Sequence, residues 1–252
     1  DAGLYQKASL GDYVWVDSNN DGQQNDGATG MNGVTVNLYD GNGVFISSTV
    51  TADNAGQPGY YLFDDLTPGD YKVEFIKPTG YAFAKQDQGA DGSDSDADTT
   101  SGMTIVTTLT SGENDLSWDA GLVKLGSLGD RVWEDTNANG VQDNGEQGIA
   151  NVTVKLYDCA TNALLDTTTT DVNGIYHFTD LMPGVYHVEF VAPNGYVYSA
   201  QDVTAENLGT DSDANSAGIT ACYTLNSGDD IDTVDAGLYQ KASLGDYVWV
   251  DS

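Results

Sequence analysis

Asp135, Asn137, Asn139, Gly140, the Val141 carbonyl, Asp143 and Glu146 fall at positions 1, 3, 5, 6, 7, 9 and 12 of a twelve-residue loop, the spacing that places oxygen donors around calcium. A hard dication takes six to eight oxygens. Alternate residues of a tight loop turn inward only where the backbone bends sharply, and Gly140 stands where that bend falls. An earlier stretch repeats the spacing with Asp17, Asn19, Asp21, Gly22 and the Gln23 carbonyl at positions 1, 3, 5, 6 and 7. Its position 12 is Ala28, so the bidentate acid is missing; Asp26, from a shifted geometry, or water completes that shell. The alternative is an Asp/Asn/Gly-rich turn that binds nothing.

A second acidic cluster follows in each half. Asp91, Asp94, Asp96 and Asp98 are matched by Asp211, Asp213 and Asn215. Such a cluster repels itself unless a cation sits in it, and the expectation is a second calcium site at Asp94, Asp96, Asp98 and at Asp211, Asp213, against a merely solvated acidic loop. Other chemistry is hard to find. The two histidines, His177 and His187, are replaced by Leu62 and Lys72 in the first half, which argues against a shared catalytic set. No nucleophile elbow, phosphate loop, zinc spacing or dinucleotide fingerprint occurs, and no catalytic residue is assigned. Trp15, Trp118, Trp133 and the fifteen tyrosines offer either a carbohydrate-binding face or, more in keeping with strand positions, core and cross-strand packing.

The elements that must hold these loops read as strands. The stretch Leu128 to Trp133 before the second loop carries β-branched and aromatic residues without helical period. After each loop, Val34, Val36 and Leu38 alternate with Thr35, Asn37 and Tyr39, as Val152, Val154 and Leu156 do with Thr153, Lys155 and Tyr157. Period two means one buried face. Asp40-Gly41-Asn42-Gly43 then predicts a hairpin into Val44 to Thr51. Further strands are expected at Tyr60 to Phe63 and Tyr71 to Phe75, at Ile175 to Phe178 and Tyr186 to Phe190, each pair separated by a Pro-Gly turn. Pro78 to Gly102 shows no strong strand pattern, and strands at Met103 to Leu109 and Leu116 to Leu122 close the unit.

Repetition sets the domain plan. Asp1 to Ser18 recurs letter for letter as Asp235 to Ser252, and Asp119 to Asp135 is a diverged third occurrence. The expected fold is all-β: tandem seven-stranded β-sandwiches, end to end, over 1–122 (with 1–8 a junction from a preceding repeat) and 123–238, and then 239–252 as the first strand of a third repeat. That last strand, Leu244 to Asp251, needs a further domain or a neighbouring copy to cover it.

Of the 252 residues, 39 are Asp or Glu and 8 are Lys or Arg, a formal net charge of −31. Nucleic acid and anionic membrane would be repelled, and no apolar run approaches membrane-spanning length. The excess is mostly Asp, which suits loops and short-armed chelation. Cys159 and Cys222 both lie in the second half; their aligned positions in the first are Gly41 and approximately Val106, so the thiols are absent there together, as a bonded pair would be. A disulfide implies an oxidising, extracellular compartment.

The motifs Leu-Gly-Asp-Tyr-Val-Trp-Val-Asp-Ser-Asn-Asn-Asp-Gly, Gly-Val-Thr-Val-Asn-Leu-Tyr-Asp and Tyr-Lys-Val-Glu-Phe with Pro78-Thr79-Gly80-Tyr81 closely resemble the B repeats of bacterial serine-aspartate repeat surface adhesins. The resemblance implies a prealbumin-like or immunoglobulin-like sandwich, several calcium ions per repeat, and a stalk that holds a ligand-binding domain away from a cell wall. The partners it implies are neighbouring repeats of the same fibre, and a host or surface ligand reached through a domain outside this segment. The wider collagen-adhesin B-type relatives cross-link a Lys of the first strand to an Asn of the last with the help of an acid. Glu74 and Glu189 match that acid, but Tyr13 and Arg131 hold the Lys position, and Asp119 and Asp235 stand on the closing strands. Without a nucleophilic amine no such bond is expected. The reading is therefore a calcium-binding spacer of an extracellular, cell-surface fibre, with a ligand-binding adhesin module for a glycan or host protein as the alternative.

Overall fold

The computed structural model describes residues 1–203, 209–246 and 250. Among them nineteen strands and no helix occur, so no helix is long and apolar enough to cross a membrane. By contacts the chain divides into two compact units, Asp1–Gly126 with Asn226–Asp229, and Ser127–Leu225 with Asp230–Ser252.

The first unit contains β1 (Ala8–Val16), β2 (Thr35–Asp40), β3 (Phe45–Val50), β4 (Ala52–Asn54), β5 (Gln57–Leu66), β6 (Gly69–Ile76), β7 (Tyr81–Phe83), β8 (Thr107–Leu109), β9 (Asn114–Asp115) and β10 (Ala120–Lys124). One sheet has the order β4-β5-β1-β10-β7, with β9 also on β1; the other has the order β3-β2-β6-β8. The second unit contains β11 (Gly126–Glu134), β12 (Thr153–Asp158), β13 (Leu164–Thr169), β14 (Ile175–Leu181), β15 (Gly184–Val191), β16 (Tyr196–Tyr198), β17 (Tyr223–Leu225), β18 (Asp230–Ile231) and β19 (Ala236–Gln240). Its sheets run β14-β11-β19-β16, with β18 on β11, and β13-β12-β15-β17.

Each unit is a sandwich whose core is the set of residues the alternation marks. Val34, Val36 and Leu38 are buried and meet Tyr61, Val73 and Phe75; Val152, Val154 and Leu156 meet Tyr176, Val188 and Phe190. Each such side chain contributes about 1.5–3 kcal/mol on burial. The rings of Tyr61 and Tyr176 sit edge-on to Phe75 and Phe190, while their hydroxyls donate to the carbonyls of Trp118 and Val234 at 2.7 Å. In this way a buried polar atom also fastens the chain leading into the last strand. That last strand pairs in parallel with the first: Val14 to Val16 lie opposite Ala120 to Leu122, and Val132 to Glu134 opposite Ala236 to Leu238.

Several strands differ from expectation. The expected seven become ten and nine among the described residues, because short pieces such as β4, β7 and β9 add to the long ones. Strand β7 lies inside Pro78 to Gly102, where three residues give too little pattern to recognise. Met103 to Leu109 forms a strand only from Thr107; Ile105 and Val106 are exposed. Leu116 to Leu122 begins only at Ala120, because Asp119 immediately before it is tied to neighbouring backbone. The first Pro-Gly turn lies between two strands as expected and carries the chain from one sheet to the other, and the Tyr71 hydroxyl donates back to the Thr67 carbonyl at 2.8 Å to hold the crossing. At the far end β19 runs to Gln240, so 239 and 240 belong to the second unit's last strand. The strand expected over Leu244 to Asp251 lies partly outside the described residues. Leu244, Gly245, Asp246 and Val250 form no strand, and Leu244 and Val250 are fully exposed, with no sheet partner among the described residues to cover them. The indoles of Trp15, Trp118 and Trp133 are buried, which removes these three from any carbohydrate-binding face.

Close backbone crossings return the chain to β1 and β11 after each Asp/Asn/Gly-rich loop. Trp15 bridges Gly30 and Trp133 bridges Gly148. A Cβ on Gly148 would lie 1.8 Å from the Asn173 carbonyl oxygen, and one on Gly30 would lie 1.9 Å from that of Pro58. Neither backbone can yield without opening the bridge. Gly148→Ala should therefore destabilise the second unit by about 3 kcal/mol, read as a shifted denaturant midpoint; a change below the scatter of surface variants would mean that the crossing relaxes freely.

Candidate metal centre

The first candidate loop leaves β1 at Asp17, which is fully buried. Its carboxylate accepts the backbone N–H groups of Asn19 at 3.1 Å and Gly22 at 2.8 Å. Asn19 Oδ1 accepts from Asp21 N at 3.0 Å, and Asp21 Oδ1 from Gln23 N at 2.9 Å. These turns within the loop point the side-chain oxygens of positions 1, 3 and 5 toward its own interior. In the second unit Asp135 accepts from Asn139 N at 3.2 Å and Gly140 N at 2.8 Å, Asn137 from Asn139 N, and Asn139 from Val141 N at 2.7 Å. The amides of Asn137 and Asn139 both donate to Asp143 Oδ2, at 2.7 and 2.9 Å. Gly22 and Gly140 have φ of 77° and 79°, the left-handed backbone the bend requires.

Glu146 is nearly buried; its Oε1 accepts Thr136 N at 2.8 Å and its Oε2 accepts Asp143 N at 3.0 Å. In the first unit Asp26 takes the same place, its Oδ1 accepting Ser18 N at 3.2 Å and the Ser18 hydroxyl. The shorter acid two residues earlier thus makes with Ser18 the contact that Glu146 makes with Thr136. Its other oxygen, Oδ2, is buried with no hydrogen-bond partner.

The two acidic segments of each unit meet. Gln23 bridges Asp94, with Gln24 N donating to the Ser93 carbonyl at 2.8 Å and Ser95 N to that of Gly22 at 3.0 Å. Val141 bridges Asp211 likewise, through Gln142 N to Thr210 O at 2.6 Å and Ser212 N to Gly140 O at 3.0 Å. Asp94, Asp96, Asp211 and Asp213 are buried. Asp94 accepts Gly89 N at 2.7 Å, and the first unit has a cleft of about 310 Å³ lined by Asp87, Asp91, Asp94, Asp96 and Trp118. Asp98 is not drawn in: it caps its own turn by accepting from Thr100 N, Ser101 N and the Ser101 hydroxyl, bonds that hold its carboxyl below the usual range. Asn215 does the same for Ala217 N and Ile219 N.

The sequence did not single out a further carboxyl beneath these loops as a ligand. Asp119 is fully buried; Oδ1 accepts Tyr13 N at 3.0 Å, its backbone N–H donates to Asp96 Oδ2 at 2.6 Å, and Oδ2 is buried without a hydrogen-bond partner. Asp235 repeats this with Arg131 N at 3.1 Å and Asp213 Oδ2 at 2.6 Å. Burial pushes the Asp119 carboxyl up to about 9, with Asp12 adding to the rise, and Asp96 up to about 8. Burial, then Asp130, raises Asp235 to about 9, and burial raises Asp12 to about 6. The available signal was the repeated Trp/Val-Asp-Ala-Gly-Leu ahead of the last strand, at 118–122 and 234–238.

These groups suit a hard cation. Every donor is oxygen, and among the described residues no Lys or Arg side chain pairs with Asp17, Asp94, Asp96, Asp119, Asp135 or Glu146; the salt bridge present is Lys155–Glu189, at 3.2 Å. Unneutralised buried carboxylates are costly, and they either take up protons or hold a cation. Among the described residues no three carboxylates stand within 4.8 Å of one another, as mutually repelling groups would not; the His/Cys/Asp/Glu triad that does is Cys159, His187 and Cys222, whose sulfurs are joined in the expected disulfide. Glu74 accepts from the Asn37 amide at 2.9 Å and the Tyr39 hydroxyl at 2.6 Å, and Glu189 from Lys155 and the Tyr157 hydroxyl, so both acids are engaged on their own sheet.

The raised carboxyls fix a sign for pH. Folded Asp96 and Asp119 keep protons that the unfolded chain releases near pH 4, so the stability they lend is complete below that and is lost as pH rises through about 8 and 9. In chelator, the unfolding midpoint of the chain should fall between pH 5 and pH 8, and Asp119→Asn should flatten that fall in the first unit. A midpoint that rises over this interval would contradict the assignment.

The profile of the SdrD B-like domain matches residues 8–122 and again 126–238. Serine-aspartate repeat-containing protein D of Staphylococcus aureus (strain Newman) is 43% identical over 258 aligned residues, covering all of this chain and 18% of that protein. Serine-aspartate repeat-containing protein F of Staphylococcus epidermidis is also 43% identical, over all of this chain and 14% of its own length. The chain thus spans less than a fifth of these relatives. Among solved structures, the GBS52 minor pilin of Streptococcus agalactiae overlaps with a TM-score of 0.37 at 12% identity (97% of this chain, 100% of that one), and the Bacillus anthracis TIE protein with 0.36 at 14% (94% and 34%), likenesses too slight to carry weight. With two consecutive matches to one family that together span most of its residues, and 43% identity from end to end, the chain belongs to the SdrD B-like domain family.

Proposed function

We propose that the two units are calcium-loaded spacer repeats in an extracellular fibre at the cell surface, flanked by further repeats and carrying a ligand-binding domain that lies outside this segment. Supporting this reading is one observation above all: in each unit a calcium-type loop and an acidic loop bridge to each other above carboxylates that are buried and, in the first unit, unneutralised. Calcium would be held by Asp17, Asn19, Asp21, the Gln23 carbonyl and Asp26, with Asp94 and Asp96 beside them. In the second unit the holders are Asp135, Asn137, Asn139, the Val141 carbonyl, Asp143 and Glu146, with Asp211 and Asp213. The ion supplies the positive charge that the protein does not. The chain's own residues fix the loop by backbone turns and tie it to β1 or β11, so that binding adds to the stability of the folded unit.

Calorimetric titration of the whole chain with calcium tests the reading: saturable binding at two or more sites per unit is expected, and the absence of binding would end it. Because Asp26 occupies the place of Glu146, Asp26→Ala should weaken the first unit's loop by roughly tenfold or more, as Glu146→Ala should the second's. If Asp26→Ala leaves the titration untouched while Glu146→Ala does not, Asp26 is no ligand and the first loop is the weaker of the two.

A further inference from the structure

The disulfide of the second unit has a neighbour that the first unit lacks. Cys159 lies in the turn after β12 and Cys222 directly before β17, and the bond between them, with Cα atoms 6.2 Å apart, straddles β15. On β15 stands His187, whose Nδ1 is 3.6 Å from the Cys159 sulfur. Its ring stacks on Tyr157 at 5.0 Å between centroids and 5° between planes, which fixes the imidazole against that sulfur rather than leaving it to swing into solvent.

Strand register shows that the three residues come as a set. Tyr157 is opposite His187 as Tyr39 is opposite Lys72, and Tyr186 is opposite Tyr223 as Tyr71 is opposite Thr107. Cys159, His187 and Cys222 therefore correspond to Gly41, Lys72 and Val106, and all three differ between the units. A bond that served only to tie two segments would have no use for the imidazole.

The two sulfurs are also unequal. Cys222 is exposed, whereas Cys159 is partly buried between the turn and the histidine. A nucleophile reaches Cys222 and expels Cys159, and exchange is faster the better the departing thiolate is stabilised.

We propose that Cys159–Cys222 is a thiol-exchange site, at which a small external thiol becomes attached to Cys222 while His187 stabilises the departing Cys159. The thiolate of the incoming molecule forms a bond to Cys222 Sγ; the Cys159–Cys222 bond breaks, and its electron pair stays on Cys159 Sγ. One disulfide replaces another with no net oxidation. Protonated His187 donates its Nδ1–H to the new thiolate. The product is a mixed disulfide on an exposed residue and a free thiol at Cys159, with β17 no longer fastened to the turn after β12. Its ladder to β15 is then three residue pairs, Gly184 to Tyr186 against Leu225 to Tyr223.

The test uses the whole chain and reduced glutathione. After brief reaction and acid quenching, peptide mapping by mass spectrometry should place glutathione on Cys222 in large excess over Cys159. His187→Gln should slow the second-order rate by roughly fivefold without moving the site of attachment. Adducts on Cys159 or divided evenly between the sulfurs would overturn the proposal, as would an unmodified disulfide after hours in millimolar thiol. An unchanged rate in His187→Gln would remove the histidine from it. The mapping is done on the unaltered chain, so it stands even if the variant folds poorly.

Discussion

Removing calcium from the folded chain should lower its thermal midpoint by roughly 20 °C. The estimate follows from linkage: a ligand that binds only the folded form and is present at a hundredfold excess over its dissociation constant adds about 2.7 kcal/mol per site. Two such sites in a unit add about 5 kcal/mol, and a domain of this size shifts by about 4 °C for each kcal/mol. The carboxylates give a reason to expect the upper range. Asp17, Asp94, Asp96 and Asp119 are buried in one unit and Asp135, Glu146, Asp211, Asp213 and Asp235 in the other. Without a cation these groups must either take up protons, as the raised Asp96 and Asp119 indicate, or repel one another. Scanning calorimetry with and without excess chelator, repeated with magnesium in place of calcium, decides it. Equal midpoints in calcium and in chelator would show that the loops are only turns.

The second large effect falls on one unit alone. Reducing Cys159–Cys222, or replacing both residues by Ser, should cost the second unit about 4 kcal/mol while leaving the first unchanged. The cross-link joins residues 63 apart in sequence, and in the chain-entropy model a closed loop of that length restricts the unfolded chain by about that amount. The folded state offers little to offset the loss, because β17, next to Cys222, is three residues long. Hydrogen exchange resolved along the chain is the suitable measurement: amides of β12, β15 and β17 should lose protection and those of β2, β6 and β8 should not. Uniform loss over both units, or none, would show that the bond adds no stability of its own to the second sandwich.

Much of this was open to reading in the residues, and the reasons are local. The alternation of Val34, Val36 and Leu38, and of their counterparts at 152, 154 and 156, marks the buried face because side chains on a strand repeat every second residue. The loops from Asp17 and Asp135 were visible because Asn, Asp and Gly at fixed offsets build both the turn and the donor set. What depends on distant partners was not visible. Alternation tells which face of β5 and β6 is buried, not that the two strands lie in different sheets. Ile105 and Val106 suggested a strand but are exposed, since strand propensity takes effect only where a neighbour offers an edge. Asp119 stood on an expected closing strand, with nothing to mark it as buried; its burial comes from Tyr13 and Asp96, which are far away in sequence. Asp26 was readable as a shifted substitute for position 12, but its bond to Ser18, eight residues back, was not.

The parallel pairing of first and last strands bears on how each unit would respond to tension. In the first unit the chain enters along β1 and leaves along β10, side by side and in the same direction. Pulling on the two ends of the unit therefore slides one strand along the other. The backbone bonds from Val14 to Val16 against Ala120 to Leu122, and that of Asp17 N to the Leu122 carbonyl at 2.9 Å, are loaded together in shear rather than unzipped one after another. The second unit repeats the arrangement, with Asp135 N bonded to the Leu238 carbonyl at 2.9 Å. Each candidate calcium loop begins at the residue that ends this ladder. A cation that keeps Asp17 or Asp135 in place thus stops the clamp from starting to slip, and resistance to extension becomes a matter of unfolding rate more than of equilibrium stability.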